Sequence, residues 1–136
     1  MMFLNCQKPG LIKDPYIYRP DSIMLDLEDA VAENQKDAAR YSLYHALQEI
    51  DYRGVERVVR INGLDTPHWK EDIRVCVAGG ADIILIPEIP YDLNKVVKKI
   101  KERTKNGSRF SILAVAEGAI SKEQAALSKK EYKKYL

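Results

Sequence analysis

The sequence predicts an α/β fold in which repeated βα units build a parallel sheet resembling part of a TIM barrel. Short runs rich in Ile, Val and Leu alternate along the chain with stretches whose apolar residues recur at helical spacing. A length of 136 residues suits one domain, whereas a closed eight-stranded barrel typically needs about 250 residues. We therefore expect a single domain that is either an open α/β sheet or an incomplete barrel.

The first half of the chain is predicted to contain three strands and two helices. Apolar residues Ala39, Leu43 and Ile50 fall at helical spacing, and the pair Gly79-Gly80 is a typical helix end. Asn62-Gly63 stops the third strand. The predicted ranges are strand 2–4, strand 22–27, a helix around 39–50, strand 58–61 and helix 69–78.

The second half continues the alternation with two more strands. The run 83–86 is continuously apolar, as expected of a strand covered on both faces. A helix is predicted over 94–104, and a strand over 110–115. Ser121 and Gln124 form a plausible capping box for a last helix.

Composition excludes several classes of partner. An apolar fraction of 46% and a charged fraction of 31% are typical of a globular protein, and a net charge of +2 gives no argument for nucleic acid or a membrane surface. No apolar run approaches the ~20 residues that span a bilayer. Cys6 and Cys76 match no metal-ligand or redox spacing. We expect a cytoplasmic protein with neither nucleic acid nor membrane as partner.

Charged side chains follow four of the predicted strands. Binding groups of parallel sheets gather beyond the carboxyl ends of the strands. Carboxylates there suit a divalent cation, and an arginine suits a substrate carboxylate held by two parallel hydrogen bonds. The candidates are Asp26, Glu28 and Asp29 after the second strand, Arg60 and the polar Asn62 after the third, Glu88 after the fourth and Glu117 after the fifth.

Structural roles would explain the same residues, and the sequence alone leaves both explanations open. Glu28 and Asp29 precede a predicted helix, whose N-terminus favours acidic side chains. Arg60 could serve as the ion-pair partner of those acids. Glu88, which lies between two prolines, could be an ordinary loop residue.

The motifs LDLEDAV (25–31) and VRINGLDTP (59–67) strongly resemble the HpcH/HpaI aldolase and citrate lyase family, and the resemblance covers about residues 1–78. It implies a Mg²⁺-dependent carbon–carbon lyase that cleaves citryl-CoA to acetyl-CoA and oxaloacetate. Acyl-CoA or keto-acid substrates, and other lyase subunits or a homo-oligomer, are the implied partners. By this resemblance Arg60 binds the substrate carboxylates, and Glu28 and Asp29 help to build the floor of the site.

From about residue 79 to residue 136 the chain is similar to an internal segment of 6-phosphofructokinase. The segment ADIILIPEIPYDLNKVVKKIKERTKNG carries this similarity, which implies that Glu88 contacts a sugar phosphate. The kinase's Gly-rich nucleotide loop and catalytic Asp motif have no counterpart in this sequence. We therefore expect one α/β domain over 1–136 whose parts 1–78 and 79–136 resemble different families and join near Gly79.

One short pattern in the second part points back to the lyases. Ala114-Val115-Ala116-Glu117-Gly118 resembles the strand end that carries a metal-binding Glu in that family, which implies Glu117 as a Mg²⁺ ligand. The family's second metal ligand and its later barrel strands have no counterpart. The leading expectation is thus a citrate-lyase-beta-like fragment whose enzymatic status is open. The alternatives are a non-catalytic carboxylate- or partner-binding module and a phosphofructokinase-related sugar-phosphate-binding fragment.

Overall fold

The computed structural model describes residues 1–87 and the backbone of 111–114. Within these ranges the chain forms a parallel sheet and three α-helices, with 3-10 turns at Pro15–Tyr18 and Glu33–Gln35. The strands are β1 Met2–Asn5, β2 Ser22–Asp26, β3 Glu56–Arg60, β4 Ile83–Ile86 and β5 Ser111–Ala114, and the helices are α1 Pro9–Ile12, α2 Lys36–Glu49 and α3 Trp69–Gly79. The predicted helix over 94–104 and the predicted capping box at Ser121 lie outside the described residues.

The order of the strands distinguishes the two architectures that the sequence left open. The five described strands lie side by side in chain order, β1-β2-β3-β4-β5, and each neighbouring pair is parallel. A doubly wound open sheet reverses its strand order at a switch point, whereas a barrel adds each new strand on the same side. The predicted α/β fold with a partial TIM-barrel-like sheet is therefore confirmed.

Element boundaries differ from the predicted ones by one or two residues at several strands. The third strand begins at Glu56 rather than at Val58, because Glu56 and Arg57 pair with Ser22 and Ile23 of β2. Their side chains carry no apolar signal, so the sequence does not reveal this pairing. The four-residue α1 was not predicted, since a single helical turn has no measurable period.

The main hydrophobic core lies between the sheet and the helices. Ile23 and Leu25 of β2, together with Val59 and Ile84, point to this side and are fully buried. A smaller apolar cluster of Met24, Val58 and Leu85 lies on the other face of the sheet. Since successive side chains of a strand alternate between the two faces, the end residues of β2 and β3 lie on the face opposite the helices.

The end of α3 is fixed by two consecutive glycines with different roles. Gly80 adopts a left-handed conformation with φ 81°, and its N–H donates to the carbonyl oxygen of Cys76, which closes the helix. Gly79 permits close approach of α2, because a Cβ atom there would lie 2.8 Å from Cδ1 of Leu47.

Among the described residues, no helix is both long and apolar enough to cross a bilayer.

Substituting Gly79 with Ala should destabilise the protein, because the added methyl group pushes Leu47 out of its packed position. Overpacking of this kind costs about 1–3 kcal/mol of the free energy of unfolding, measurable by urea denaturation. Gly10→Ala is the matched control, because a Cβ at Gly10 meets no atom within 4 Å. Equal losses in the two variants would contradict the packing role of Gly79.

Candidate functional site

Arg60 and Asp26 form a bidentate ion pair at the carboxyl ends of two neighbouring strands. The two residues are Cα partners in the ladder between β2 and β3, so their side chains emerge on the same face. Nε of Arg60 donates to Oδ1 of Asp26 at 2.9 Å, and Nη2 donates to Oδ2 at 2.7 Å. Only 12% of the Arg60 side chain and 3% of the Asp26 side chain are exposed. This pair is therefore the largely desolvated centre of the site.

Two further carboxylates face the remaining side of the same guanidinium. Nη1 of Arg60 lies 2.9 Å from Oε2 of Glu28 and 3.5 Å from Oδ2 of Asp29. The structure thus brings together Arg60 and all three acids that follow β2. It shows Arg60 as their ion-pair partner, and Asp26 takes one of the two guanidinium edges that can make two parallel bonds to a carboxylate.

The explanation of Glu28 and Asp29 as a helix start is wrong. Helix α2 begins at Lys36, and the 3-10 turn Glu33–Gln35 precedes it. The acids therefore lie well before the first turn of the helix, in the loop after β2. The apolar positions that define the helical period begin only at Ala39, so the sequence does not fix where between Asp29 and Ala39 the helix begins.

Charge and burial act in opposite directions on the pKa of Asp26. Burial by itself raises that pKa. The hydrogen bonds from Arg60 and from the backbone N–H groups of Glu28 and Ala30, together with the positive charge of Arg60, outweigh this effect, so the pKa of Asp26 is lowered. The pKa of Arg60 is raised chiefly by its hydrogen bonds to Asp26. Both groups are therefore charged at neutral pH, and the pair persists over the physiological range.

A buried lysine fixes the backbone of the loop that carries the acids. Nζ of Lys36 donates to the carbonyl oxygens of Leu27 and Glu28 at 2.8 and 2.7 Å. The N–H of Leu27 also donates to the carbonyl oxygen of Arg60. The loop start is thus tied both to α2 and to the end of β3. Sequence reasoning missed Lys36, because a lysine at a helix start is ordinarily a solvated residue.

A second buried network fixes the end of β3 directly after Arg60. The fully buried Asp72 accepts hydrogen bonds from the backbone N–H and from Nδ2 of Asn62, at 2.9 and 2.7 Å. Its other oxygen accepts from Nη1 of Arg40 at 2.8 Å. Arg40 also contacts the exposed Asp37. This network joins α2, α3 and the β3 end. The sequence predicted Asn62 as a polar group at the strand end but gave no sign of its partner Asp72.

An exposed pair links the loops that follow β2 and β3. Nε2 of His68 lies 2.6 Å from Oε1 of Glu33, and the hydrogen bond with His68 is the main cause that lowers the pKa of Glu33. Because the two loops flank Arg60, this contact supplies a further tie across the rim of the site.

Two of the predicted site residues cannot be placed relative to Arg60. Glu88 and Glu117 lie outside the described residues, so their predicted roles stay predictions. Within residues 1–87, no group of three His, Cys, Asp or Glu side chains is arranged to hold a metal ion.

Parallel strands added in chain order are the arrangement of TIM-barrel-like α/β folds, and the charged groups of this chain lie at the carboxyl ends of the strands, the rim where such folds carry their binding sites. Comparison with known sequences gives the particular family. The sequence model of the HpcH/HpaI aldolase/citrate lyase family matches residues 1–126. The chain belongs to this family.

The individual relatives include both of the protein types that the sequence resembles. The chain is 53% identical to the citrate lyase subunit beta of Leuconostoc mesenteroides subsp. cremoris over 89 residues, which is 65% of this chain and 30% of that protein. It is also 60% identical over 47 residues to an ATP-dependent 6-phosphofructokinase 2 of Clostridium perfringens, 35% of this chain and 13% of the kinase. Both resemblances are therefore confirmed.

A solved structure supports the same fold. Protein CitE of Mycobacterium tuberculosis, in complex with magnesium and pyruvate, superposes with a TM-score of 0.60 at 25% identity, over 87% of this chain and 44% of that one. The chain thus spans less than half the length of the lyase relatives it matches. The family match extends beyond the predicted junction near Gly79, to residue 126.

The Asp26–Arg60 pair should make stability pH-dependent in the acid range. The folded pKa of Asp26 lies below its unfolded value of about 3.9, so the stabilisation is complete above that value and is lost as pH falls through the folded pKa. The difference in free energy of unfolding between wild type and Arg60→Gln should therefore be large near about pH 6 and shrink below about pH 4. Urea denaturation across this range measures it, and a constant difference would contradict the coupling.

Replacing Asp72 with Asn should destabilise the protein strongly, because it leaves Arg40 without its buried charged partner and offers an N–H donor to the N–H groups of Asn62. Breaking a buried pair in this way costs about 3–5 kcal/mol, measured by urea denaturation. Asp37→Asn removes the other, exposed partner of Arg40 and should change stability little. Similar losses of the free energy of unfolding in the two variants would contradict the prediction that the buried pair matters more to stability than the exposed one.

Proposed function

We propose that this chain supplies the carboxylate-binding part of a citrate-lyase-type site, in which Arg60 binds a carboxylate of a keto acid or hydroxyacyl-CoA. The observation that supports the proposal is the position of Arg60 at the end of β3, largely buried and aligned by Asp26. A guanidinium held in this way loses little conformational freedom on binding, and a charge-assisted bond is strong where water is scarce.

The reaction we propose for the complete site is the cleavage of citryl-CoA to acetyl-CoA and oxaloacetate. In this step the substrate hydroxyl loses its proton and becomes the ketone of oxaloacetate. The carbon–carbon bond breaks, and its electron pair passes to the acyl-CoA carbon, which then takes up a proton. Arg60 would hold a carboxylate that ends on the oxaloacetate product, and so fix the orientation of the bond that breaks.

Mg²⁺ belongs to this proposal by family resemblance, and it is present in the pyruvate complex of the Mycobacterium tuberculosis relative. When bound, such an ion chelates the keto acid and stabilises developing negative charge. We propose Glu117 as one ligand. Since no set of ligands is arranged around a metal within residues 1–87, the role of Arg60 is proposed independently of the ion.

The organisation and partners of the chain are proposed on the same basis. We propose a cytoplasmic protein with one domain over 1–136, in which residues 79–136 derive from a phosphofructokinase-like segment. The 60% identity to the kinase over 47 residues supports this composite origin. Other lyase subunits or further copies of the chain are the partners we propose, by its similarity to citrate lyase subunits.

A second candidate is a non-catalytic module that binds small carboxylates or a partner chain. The observation that favours it is the ion pairing itself, since Asp26, Glu28 and Asp29 already provide Arg60 with partners. The third candidate, a sugar-phosphate-binding fragment acting through Glu88, is favoured by the kinase match.

Thermal denaturation with ligands tests these candidates. Oxaloacetate in large excess should raise the Tm of the wild type, because a ligand at 100 times its Kd contributes about 2.7 kcal/mol of stability. Arg60→Gln should abolish the rise, whereas Arg74→Gln, which alters an exposed ion pair with Glu71, should retain it. A rise with fructose 6-phosphate alone would favour the kinase-related fragment, and no rise with oxaloacetate or a CoA ester would contradict the lyase-type site.

A further inference from the structure

We propose that Glu28 and Asp29 act as built-in competitors of the substrate carboxylate at Arg60, and so determine how selective the site is for anions. This inference rests on the proposed function. If the two acids competed with the substrate, removing their charge should strengthen substrate binding. If they helped to bind the substrate, removing their charge should weaken it.

The N–H donors of the Arg60 guanidinium already face carboxylates of the chain itself. An arginine has five N–H donors arranged on two edges that can each hold a carboxylate. Asp26 occupies the edge formed by Nε and Nη2. The edge left for a ligand includes Nη1, and Glu28 lies 2.9 Å from that atom, with Asp29 at 3.5 Å. A ligand carboxylate at Nη1 must therefore displace carboxylate oxygens already there.

The charges around Arg60 disfavour the approach of an anion. Around the single positive charge of Arg60 stand three carboxylates, so an approaching anion meets an excess of negative charge. Like charges a few ångströms apart repel most strongly where water is scarce. The anion binds favourably only when at least one acid withdraws from the guanidinium. The acids thus lower the affinity for any carboxylate that does not make enough further contacts.

The three acids differ in how easily they can withdraw. Asp26 is 3% exposed and also accepts two backbone N–H groups, so it stays in place. Asp29 is 77% exposed and can turn into water at little cost. Glu28 is 19% exposed, and Lys36 holds its carbonyl oxygen, so withdrawal requires rotation of the Glu28 side chain while its backbone remains fixed.

Isothermal titration with oxaloacetate, on the full chain in buffer without divalent cations, tests the competition. Glu28→Gln keeps the size of the side chain and removes its charge, and it should lower the Kd about 5- to 10-fold, as expected for a partly buried charged contact. Asp29→Asn should lower it only about 2-fold, because its exposed charge is well screened. Glu49→Gln is the control, since it removes the same charge from an exposed ion pair with His45 on α2.

The outcomes separate this inference from the proposed function. Wild-type binding that is lost in Arg60→Gln, but unchanged or weakened in both Glu28→Gln and Asp29→Asn, would overturn the competition and leave the proposed function standing. Tighter binding in these two variants and not in Glu49→Gln would support it. Absence of binding in every protein would overturn both. Circular dichroism checks folding, and if Glu28→Gln is unfolded, Asp29→Asn at an exposed position decides the result by itself.

Discussion

The buried ion pair between Asp26 and Arg60 is the interaction on which the candidate site depends. Two neighbouring parallel strands bring the residues into register at their carboxyl ends, and the planar guanidinium matches the carboxylate with two parallel bonds. A buried charge is costly unless it is paired and hydrogen-bonded. Each residue therefore makes the burial of the other possible, and the geometry of the strand ends follows from that requirement.

The surroundings of the pair are organised to hold backbone rather than to solvate charge. Lys36 binds the carbonyl oxygens at the start of the loop after β2. Asp72 binds both the backbone and the amide of Asn62 on the other side. The two ties are made by residues of α2 and α3, so the helices that cover the sheet also set the position of the loops at its rim. The packing of the helices on the sheet therefore also determines the geometry of the site.

The family match and the kinase match bear differently on the molecule. Strands β1 to β3 and the loops that follow β2 and β3 carry the lyase motifs and the described contacts of Arg60. The composite origin proposed above is compatible with the sheet, because β4 is continuously apolar and pairs with β3 through backbone atoms. Backbone pairing demands no particular side-chain identity, so a parallel sheet tolerates a strand of different ancestry when its apolar faces remain in register.

The sequence by itself determined the α/β class, the five strands, the end of α3 at its glycines and the position of Arg60 and the three acids after β2 at one edge of the sheet. Those features follow from local periodicity, from glycine conformation and from the rule that parallel strands end at one rim. Only the tertiary structure decided that strand order is that of a barrel, that Arg60 engages Asp26 through two bonds, and that Lys36, Arg40 and Asp72 hold the site. These are contacts between residues 9 to 34 positions apart in the chain, and a local pattern carries no information about which distant partner satisfies a buried polar group.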